Sequence, residues 1–413
     1  MGAILLLVRP QIKRASGRNP YMMQSVFEKF QVHWNMRPFT DCFCITSDYF
    51  FKSVTRQCPD GLSPFWVKIV HQNDIAACRS IWIDVNLKIR HKIKMYGKFI
   101  NIFKSPKRQF YNMSLLDRIG NTPLINLEGI WVKLEYMNPS GSVKDRIAKY
   151  IIEKAEKTGQ IKKGYTVIEA TSGNTGIAFS MITAQKGYKM IAVMPKGMSE
   201  ERAKIMKAYG AKVVYVKKDC FGCAIDTAKK MGEKKGTFLP RQFDNPLNPQ
   251  EHERNMGPEI MRVVKKIDAF VAGVGSGGTM IGVGRALKKR NPKTKVFGLE
   301  PDESPLMALS GIGSIYGGKL HSKLCRHHGI EGIADGLIPD IVRDNREIMD
   351  EIIEIKTKDA TAECRRLAKL GYFVGPSSGA NFLAAKMLKK QFKNVVTLFP
   401  DSGDRYLSEG IFG

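Results

Sequence analysis

Strand-like and helix-like segments alternate through most of the chain, and this alternation constrains the fold more than any other feature of the sequence. Residues 166–170 and 212–216 are short apolar runs typical of buried strands, and helix-like segments separate such runs. A second series begins with residues 269–272 and closes with residues 395–399. Parallel strands need long crossover connections, which helices of this length provide. The sequence therefore predicts an α/β fold built from parallel strand–helix–strand units.

A lysine stands between a Gly/Ser-rich turn and the first turn of a predicted helix. Residues 138–146 read Asn-Pro-Ser-Gly-Ser-Val-Lys-Asp-Arg. A core-facing helix is predicted to follow from the spacing of Ile147, Tyr150, Ile151 and Ala155. An ammonium is unfavourable at the positive end of a helix dipole, so Lys144 is either solvated or held in a less charged state such as a Schiff base. On this stretch alone, an exposed surface lysine is the alternative.

Three further turns lie between a predicted strand and a predicted helix. Residues 171–176 read Thr-Ser-Gly-Asn-Thr-Gly, residues 275–279 read Gly-Ser-Gly-Gly-Thr, and residues 375–379 read Gly-Pro-Ser-Ser-Gly. Bare backbone amides at the start of a helix can bind a phosphate, which makes residues 275–279 a candidate phosphate loop. A dinucleotide fingerprint with Glu300 as its acidic residue is one alternative for that loop. Ordinary helix caps are the alternative for the other two turns.

Together these motifs make the chain from Met113 onward resemble the cysteine synthase and cystathionine β-synthase family of pyridoxal phosphate (PLP) enzymes. The resemblance runs from residues 119–124 (Ile-Gly-Asn-Thr-Pro-Leu) to residues 400–408 (Pro-Asp-Ser-Gly-Asp-Arg-Tyr-Leu-Ser). It implies the two-lobed fold of the tryptophan synthase β-like enzymes, fold type II, with the cofactor between the lobes. The implied catalytic domain is 113–413, with a smaller lobe of about 137–247 and a larger lobe of about 248–413 plus 118–136. A homodimer is implied by the resemblance alone.

The resemblance also implies a role for each candidate site residue. Lys144 matches the Schiff-base lysine, which also acts as general base. Asn174 matches the residue that bonds the ring hydroxyl, and Ser377 matches the residue that faces the pyridine nitrogen and leaves it unprotonated. The phosphate loop comprises Gly275, Ser276, Gly277, Gly278 and Thr279. The substrate site comprises Thr171, Ser172, Gly173, Thr175, Gln242 and Gly332.

The implied reaction is PLP-dependent β-replacement of an activated L-serine. O-acetyl-L-serine and sulfide are the expected substrates, with L-cysteine as the product, because residues 242–246 (Gln-Phe-Asp-Asn-Pro) resemble the cysteine synthase form. Homocysteine as acceptor, which would make the protein a cystathionine β-synthase, is the alternative. A serine or threonine dehydratase and a non-catalytic paralogue are further alternatives. Since residues 400–408 match the family's terminal motif, we expect no S-adenosylmethionine-regulated module.

The serine donor is left open by residues near the implied substrate site. Ala334 replaces the usual glycine, and Asp335 occupies a position where a small or aromatic residue is common. A carboxylate there would disfavour an anionic donor such as O-phosphoserine. The stretch 309–326 would favour such a donor through its basic residues Lys319, Lys323 and Arg326.

Residues 1–112 differ from the rest of the chain, because they show no sustained helix or strand period and carry +12 of the formal net charge of +27. An organelle transit peptide, an accessory module and upstream sequence translated from an incorrect start are the alternatives, and we expect the last, since Met113 resembles a natural beginning. The apolar run at residues 4–8 is too short to span a membrane.

No RNA-binding signature stands out in the sequence, so we expect small-molecule substrates and no nucleic-acid or membrane partner. We expect a cytoplasmic location unless residues 1–112 direct the protein to an organelle.

The eight cysteines are too sparse for a disulfide scaffold, so we expect reduced thiols. Cys220 and Cys223 have the spacing of a redox motif. No second pair or nearby histidine completes a zinc set, so we expect no metal site. Structural cysteines at the start of a helix are the prediction.

Overall fold

The computed structural model describes residues 114–412 except residues 219, 313, 316–327 and 335. All described residues belong to one compact unit, Arg108–Gly413. The predictions for residues 1–112, for Asp335 and for Lys319, Lys323 and Arg326 therefore lie outside the described residues.

The strands, in chain order, are β1 (Leu124–Leu127), β2 (Ile130–Leu134), β3 (Thr166–Ala170), β4 (Lys189–Pro195), β5 (Lys212–Val216), β6 (Thr237–Phe238), β7 (Ala269–Gly273), β8 (Lys295–Pro301), β9 (Ser314–Ile315), β10 (Glu351–Ile355) and β11 (Val395–Phe399). The helices are α1 (Lys144–Lys157), α2 (Asn174–Lys186), α3 (Glu200–Ala208), α4 (Phe221–Gly232), α5 (Leu247–Glu251), α6 (Gly257–Val263), α7 (Gly278–Arg290), α8 (Leu306–Leu309), α9 (Asp340–Arg343), α10 (Thr357–Lys369) and α11 (Pro376–Lys389). A π-helical turn, His252–Met256, joins α5 to α6, and short 3-10 segments occupy Leu115–Arg118, Glu135–Met137, Arg346–Ile348 and Gly403–Glu409.

These strands form two sheets. The larger has the order β1-β2-β11-β7-β8-β10-β9, and the smaller has the order β5-β4-β3-β6. All pairs are parallel except β1 with β2. This confirms the predicted α/β fold with two mostly parallel sheets flanked by helices. The smaller sheet falls within residues 137–247, but the exact lobe boundaries stay a prediction.

The larger sheet is buried on both faces, which explains why its strands read as continuous apolar runs rather than as alternating patterns. All five side chains of β11 are buried. One face packs against α11 through Phe382 and Leu388. The other face packs against α7 through Ile281 and Leu287. The sheet is therefore the middle layer of three, and its carboxyl edge remains available for loops.

The predicted helix after the Gly/Ser turn is confirmed as α1. Ile147 and Ile151 are fully buried in the core of the smaller sheet, and Ala155 is buried beside them. Tyr150, predicted on the same apolar face, is only half-buried, and its hydroxyl donates to Gln250 Oε1 at 2.9 Å. The buried face of α1 therefore packs against the smaller sheet, and the first turn of the helix lies at the edge of that core.

The expectation of reduced thiols is wrong for one pair, because Cys220 and Cys223 form a disulfide. The turn that opens α4 brings their Cα atoms to 5.3 Å, within the range that a disulfide spans. The spacing alone was compatible with bonded and free cysteines. Among the described residues, no cluster of His, Cys, Asp or Glu suits a metal ion.

No helix in the described part of the chain combines the length and apolar character needed to cross a bilayer.

Candidate active site

Lys144 is the first residue of α1, and its turn is fixed to the segment that follows β11. The Val143 amide donates to the Pro400 carbonyl at 2.8 Å, and the Ser402 amide donates to the Gly141 carbonyl at 3.1 Å. Gly141 has φ +83°, and a Cβ there would lie 2.9 Å from Arg405 Nη2. The glycine is therefore required by both conformation and space, and the turn holds Lys144 at the carboxyl edge of the larger sheet.

Asp145 rigidifies the same turn. Its carboxylate accepts the Ser140 amide at 2.7 Å and also the Ser140 hydroxyl. Burial raises the pKa of Asp145 to about 6, although the hydrogen bonds from Ser140 act in the opposite direction. The side chain therefore holds the two ends of the turn together next to the lysine.

Residues 275–279 form the end of the loop after β7 and the first residues of α7, and Gly275 and Gly278 have no room for a side chain. A Cβ on Gly275 would lie 2.3 Å from the Gly332 carbonyl oxygen, and one on Gly278 would lie 1.8 Å from Asn248 Oδ1. Gly277, at the N-cap of α7, has φ +83° and no side chain that could cap the helix. The N-cap of this 13-residue helix therefore provides no side-chain hydrogen bond to its first amides, and such amides suit a phosphate.

One cavity collects all the residues predicted to hold the cofactor. Lys144, Asn174 and Ser377 line it together with the whole of the loop 275–279. Asn381, which the sequence reasoning missed, also lines it, and its side chain bonds the Gly273 amide at 2.8 Å and the Leu398 carbonyl at 3.0 Å. Backbone amides at a helix start, an amine and small polar side chains thus share one cavity, and this donor set fits PLP.

A second cavity adjoins the first and collects most of the predicted substrate residues. Ser172, Thr175 and Gln242 line it. It shares with the first cavity Lys144, Asn174, Ser276 and Gly332. The Thr175 hydroxyl donates to Gln242 Oε1 at 2.6 Å, and Gln242 Nε2 donates to the Ala170 carbonyl at 3.1 Å. These bonds fix the orientation of the Gln242 amide.

Thr171 and Gly173, also predicted for the substrate site, line neither of these two cavities. The Thr171 hydroxyl oxygen accepts the amides of Gly173 and Gly176, each at 3.0 Å. Thr171 is buried. It thus supports the start of α2 from within.

The orientation of Asn174 depends on residues that the sequence reasoning named only as part of a motif. Asn174 Nδ2 donates to Asp401 Oδ2 at 2.6 Å, and Arg405 Nη1 donates to Asn174 Oδ1. Asp401 also accepts the Tyr406 hydroxyl. The segment after β11 therefore orients both Asn174 and the lysine turn.

Arg202 is a second residue that the sequence did not reveal. It is 2 % exposed and lines the second cavity. Its Nη1 donates to the Ser172 carbonyl at 3.2 Å, its guanidinium lies 4.9 Å from the centre of the Tyr406 ring, and it pairs with Glu331. An arginine in a short polar helix gives no sequence signal for burial, because its partners are distant in the chain.

Ala334 adopts a conformation that favours glycine. Its φ is +51°, and its amide donates to the Val274 carbonyl at 3.0 Å. The loop beside Gly332 therefore keeps a glycine-type turn although the residue is alanine, at a steric cost of about 1 kcal/mol.

Gly275→Ala is expected to weaken cofactor binding about 10- to 100-fold, the loss that follows when one hydrogen bond to a charged group is displaced. The new Cβ would meet a backbone oxygen, which cannot rotate away. Titration of PLP into the apoprotein, followed by absorbance, measures this. Gly232→Ala is the matched control, because its Cβ would make an ordinary 3.4 Å contact with Leu239. Equal affinity of the two variants would contradict the prediction.

Glu169→Gln is expected to remove a pH-dependent loss of stability. Burial raises the pKa of Glu169 from 4.5 to about 8. Its contribution to folding stability is therefore fully present below about pH 4.5 and is lost as the pH rises through about 8, because the folded state holds the proton that the unfolded state releases. Gln mimics the protonated form, so the variant should gain relative stability from pH 5 to pH 9, by a few kcal/mol in order of magnitude.

Melting temperatures of both proteins across this pH range test the prediction. Glu200→Gln is the control, since the Glu200 side chain is 83 % exposed. Parallel curves for the parent and Glu169→Gln would show that the carboxyl is ionised in both states.

The comparisons with known proteins agree with this geometry. The family described as pyridoxal-phosphate dependent enzyme matches residues 115–401. A cysteine synthase from Staphylococcus aureus is 43% identical over 309 residues, covering 71% of this chain and 95% of that protein. The crystal structure of a cysteine synthase from Entamoeba histolytica superposes with a TM-score of 0.66 at 37% identity, covering 75% of this chain and 92% of that one. An O-acetylserine-dependent cystathionine β-synthase from Helicobacter pylori superposes with a TM-score of 0.67 at 36% identity, covering 74% and 100%.

Proposed function

The chain belongs to the family of pyridoxal-phosphate-dependent enzymes that includes the cysteine synthases, and from this premise we propose that it exchanges the β-substituent of O-acetyl-L-serine for sulfide to form L-cysteine. The named relatives carry out, by their names, cysteine synthesis and O-acetylserine-dependent cystathionine synthesis. The acceptor and the donor are therefore the parts of the proposal that need testing.

One observation carries the proposal: Lys144 lines both the cavity that suits the cofactor and the adjoining cavity that suits an amino acid. A group that tethers the cofactor and then moves a substrate proton must reach both places. Ser276 and Gly332 also border both cavities, so the two are continuous.

The residues of the first cavity would hold PLP at three points. The amides of residues 275–279 would bind its phosphate, Asn174 would donate to the ring hydroxyl, and the Ser377 hydroxyl would face the ring nitrogen. When bound, PLP supplies the electron sink that makes loss of an α-proton and of a β-substituent feasible. A neutral hydroxyl beside the ring nitrogen, in place of a carboxylate, favours β-replacement over transamination.

The residues of the second cavity would bind and position the amino-acid donor. The Ser172 and Thr175 side chains and the Gln242 amide are hydrogen-bonding groups suited to a carboxylate. The bonds of Gln242 to Thr175 and Ala170 fix it before substrate arrives. With the carboxylate held there, Lys144 Nζ is the base that takes the α-proton.

Product analysis with purified, PLP-loaded protein tests the proposal. O-acetyl-L-serine, O-phospho-L-serine and L-serine are each supplied with sulfide or with homocysteine. Cysteine formed from O-acetyl-L-serine and sulfide, at the highest rate of the six pairs, is the expected result. Cystathionine as the main product would identify the protein as a cystathionine β-synthase. Pyruvate without cysteine or cystathionine would indicate a dehydratase.

We also propose that the enzyme is a homodimer, as the resemblance implied, and that it is cytoplasmic unless residues 1–112 direct it to an organelle. Light scattering on the purified chain measures the oligomeric state. A monomeric mass with full activity would show that the proposed dimer is wrong and would leave the proposed reaction unaffected.

A further inference from the structure

The disulfide between Cys220 and Cys223 has no part in the proposed reaction. It closes a loop between cysteines three residues apart, at the start of α4. So short a loop restricts the unfolded chain less than a long one, so its contribution to stability is small. Disulfides in reducing compartments are usually transient and serve catalysis or sensing.

The helix start favours release of one of the two sulfurs. Cys220 occupies the N-cap of α4, and its Sγ accepts the Cys223 amide at 3.3 Å. A thiolate at Cys220 would be stabilised by that amide and by the positive end of the helix dipole. Both cysteines are half-buried, so a small reagent can reach them.

Phe221, one of the two residues between the cysteines, contacts the neighbour in sequence of a predicted substrate residue. Phe221 packs edge to face on Phe243, with 5.3 Å between the ring centres. Phe243 follows Gln242, whose backbone carbonyl accepts Asn248 Nδ2 at 2.7 Å. The disulfide thus fixes the aromatic ring that packs against the neighbour of Gln242.

We propose that Cys220 and Cys223 form a thiol–disulfide exchange site for low-molecular-weight thiols, and that its state sets the position of Gln242 through the Phe221–Phe243 contact. The exchange stands on the disulfide itself. The effect of the exchange on donor binding rests on the proposed function. The proposed product, L-cysteine, is itself a low-molecular-weight thiol, so its reaction at this site also rests on the proposed function.

The exchange uses two thiol equivalents. A thiolate attacks Cys223 Sγ, forms a mixed disulfide and releases Cys220 as the thiolate. A second thiolate attacks the sulfur of the bound thiol, which frees Cys223 and leaves the two small thiols joined as a disulfide. Two electrons pass from the thiols to the protein, and both cysteines end as thiol or thiolate.

The first experiment is independent of catalysis. The full-length holoenzyme is equilibrated in buffers of reduced and oxidised glutathione, alkylated and analysed by peptide mass spectrometry. We expect the peptide that carries Cys220 and Cys223 to pass from disulfide to dialkylated dithiol in one two-electron transition, while the fully buried Cys364 stays unmodified. A pair that stays oxidised in every buffer would overturn the proposal.

The second experiment measures the coupling. Hydrogen–deuterium exchange of the amides at 241–245 should be faster in the reduced protein, and Phe221→Ala should show that faster exchange in both states. The O-acetyl-L-serine concentration that half-saturates the absorbance change, measured without any thiol acceptor, should differ between the states by about two- to thirtyfold. If reduction of the disulfide changes neither the amide exchange nor the half-saturating concentration, the pair is not coupled to Gln242, and that part of the proposal is wrong.

Variants separate this inference from the proposed function. The double variant Cys220→Ser with Cys223→Ser should behave as the reduced enzyme in every buffer, and Cys364→Ala should respond like the parent. If the parent binds no O-acetyl-L-serine in either state, the proposed function fails, while the mass spectra and amide exchange still decide the inference.

Discussion

Lys144→Ala is expected to lower turnover of O-acetyl-L-serine with sulfide by at least about 10²- to 10⁴-fold, the contribution of one positioned proton-transfer group. The loss of the covalent tether adds to this effect. Among the described residues that line the two cavities, Lys144 is the only lysine, so no other amine in that lining can replace it. The variant should also retain less PLP after dialysis, because only non-covalent contacts would hold it.

Turnover, retained PLP and the visible absorbance of the bound cofactor are measured in parallel with Lys157→Ala. Lys157 lies on the exposed face of the same helix, so its loss should leave all three unchanged. Activity in Lys144→Ala within tenfold of the parent would mean that another group removes the proton, and the assignment of the base would be wrong.

Arg146→Met is expected to destabilise the fold by about 3–5 kcal/mol, the cost of breaking a buried ion cluster by removing one partner. The Arg146 guanidinium is 2 % exposed and donates to Glu135 at 2.6 Å and to Glu259 at 2.7 Å. Lys133 Nζ lies 2.7 Å from Glu259, so the cluster joins α1, β2 and α6. Without the guanidinium, the cluster keeps three carboxylates, those of Glu135, Glu251 and Glu259, and one ammonium.

Chemical denaturation of the parent and the variant measures this loss. Arg366→Met is the matched control, since Arg366 pairs with the exposed Glu128 as well as with Glu363 and its own side chain is 37 % exposed. Its loss should cost no more than about 1 kcal/mol. If the two variants lose equal stability, the buried cluster contributes no more than a surface pair. Because α1 begins at Lys144, we also expect Arg146→Met to reduce activity at temperatures where it remains folded.

The fold class could be predicted because its signals are local. The spacing of apolar residues over a short stretch predicts the strand 166–170 and the helix that begins at Lys144. The glycine-rich loop 275–279 could be located for the same reason, since it directly joins a strand to a helix. Each of these predictions needed only a short window of the chain.

The site residues that were missed depend on contacts between distant parts of the chain. Arg202 is buried by Tyr406 and Glu331, and Asn174 is oriented by Asp401, more than two hundred residues away. Arg146 was read only as part of a motif, although its partner Glu259 lies 113 residues further on. A periodic pattern contains no information about such pairs.

The sequence by itself determined the α/β fold, the lysine at the start of a helix and the glycine-rich loop between a strand and a helix, because backbone preference and side-chain spacing act over one or two turns. Only the tertiary structure decided that Lys144 borders two cavities, that Cys220 and Cys223 are bonded, and that Thr171 supports its loop from within. Burial and charge pairing are properties of packed surfaces, and the residues that form those surfaces meet only when the chain has folded.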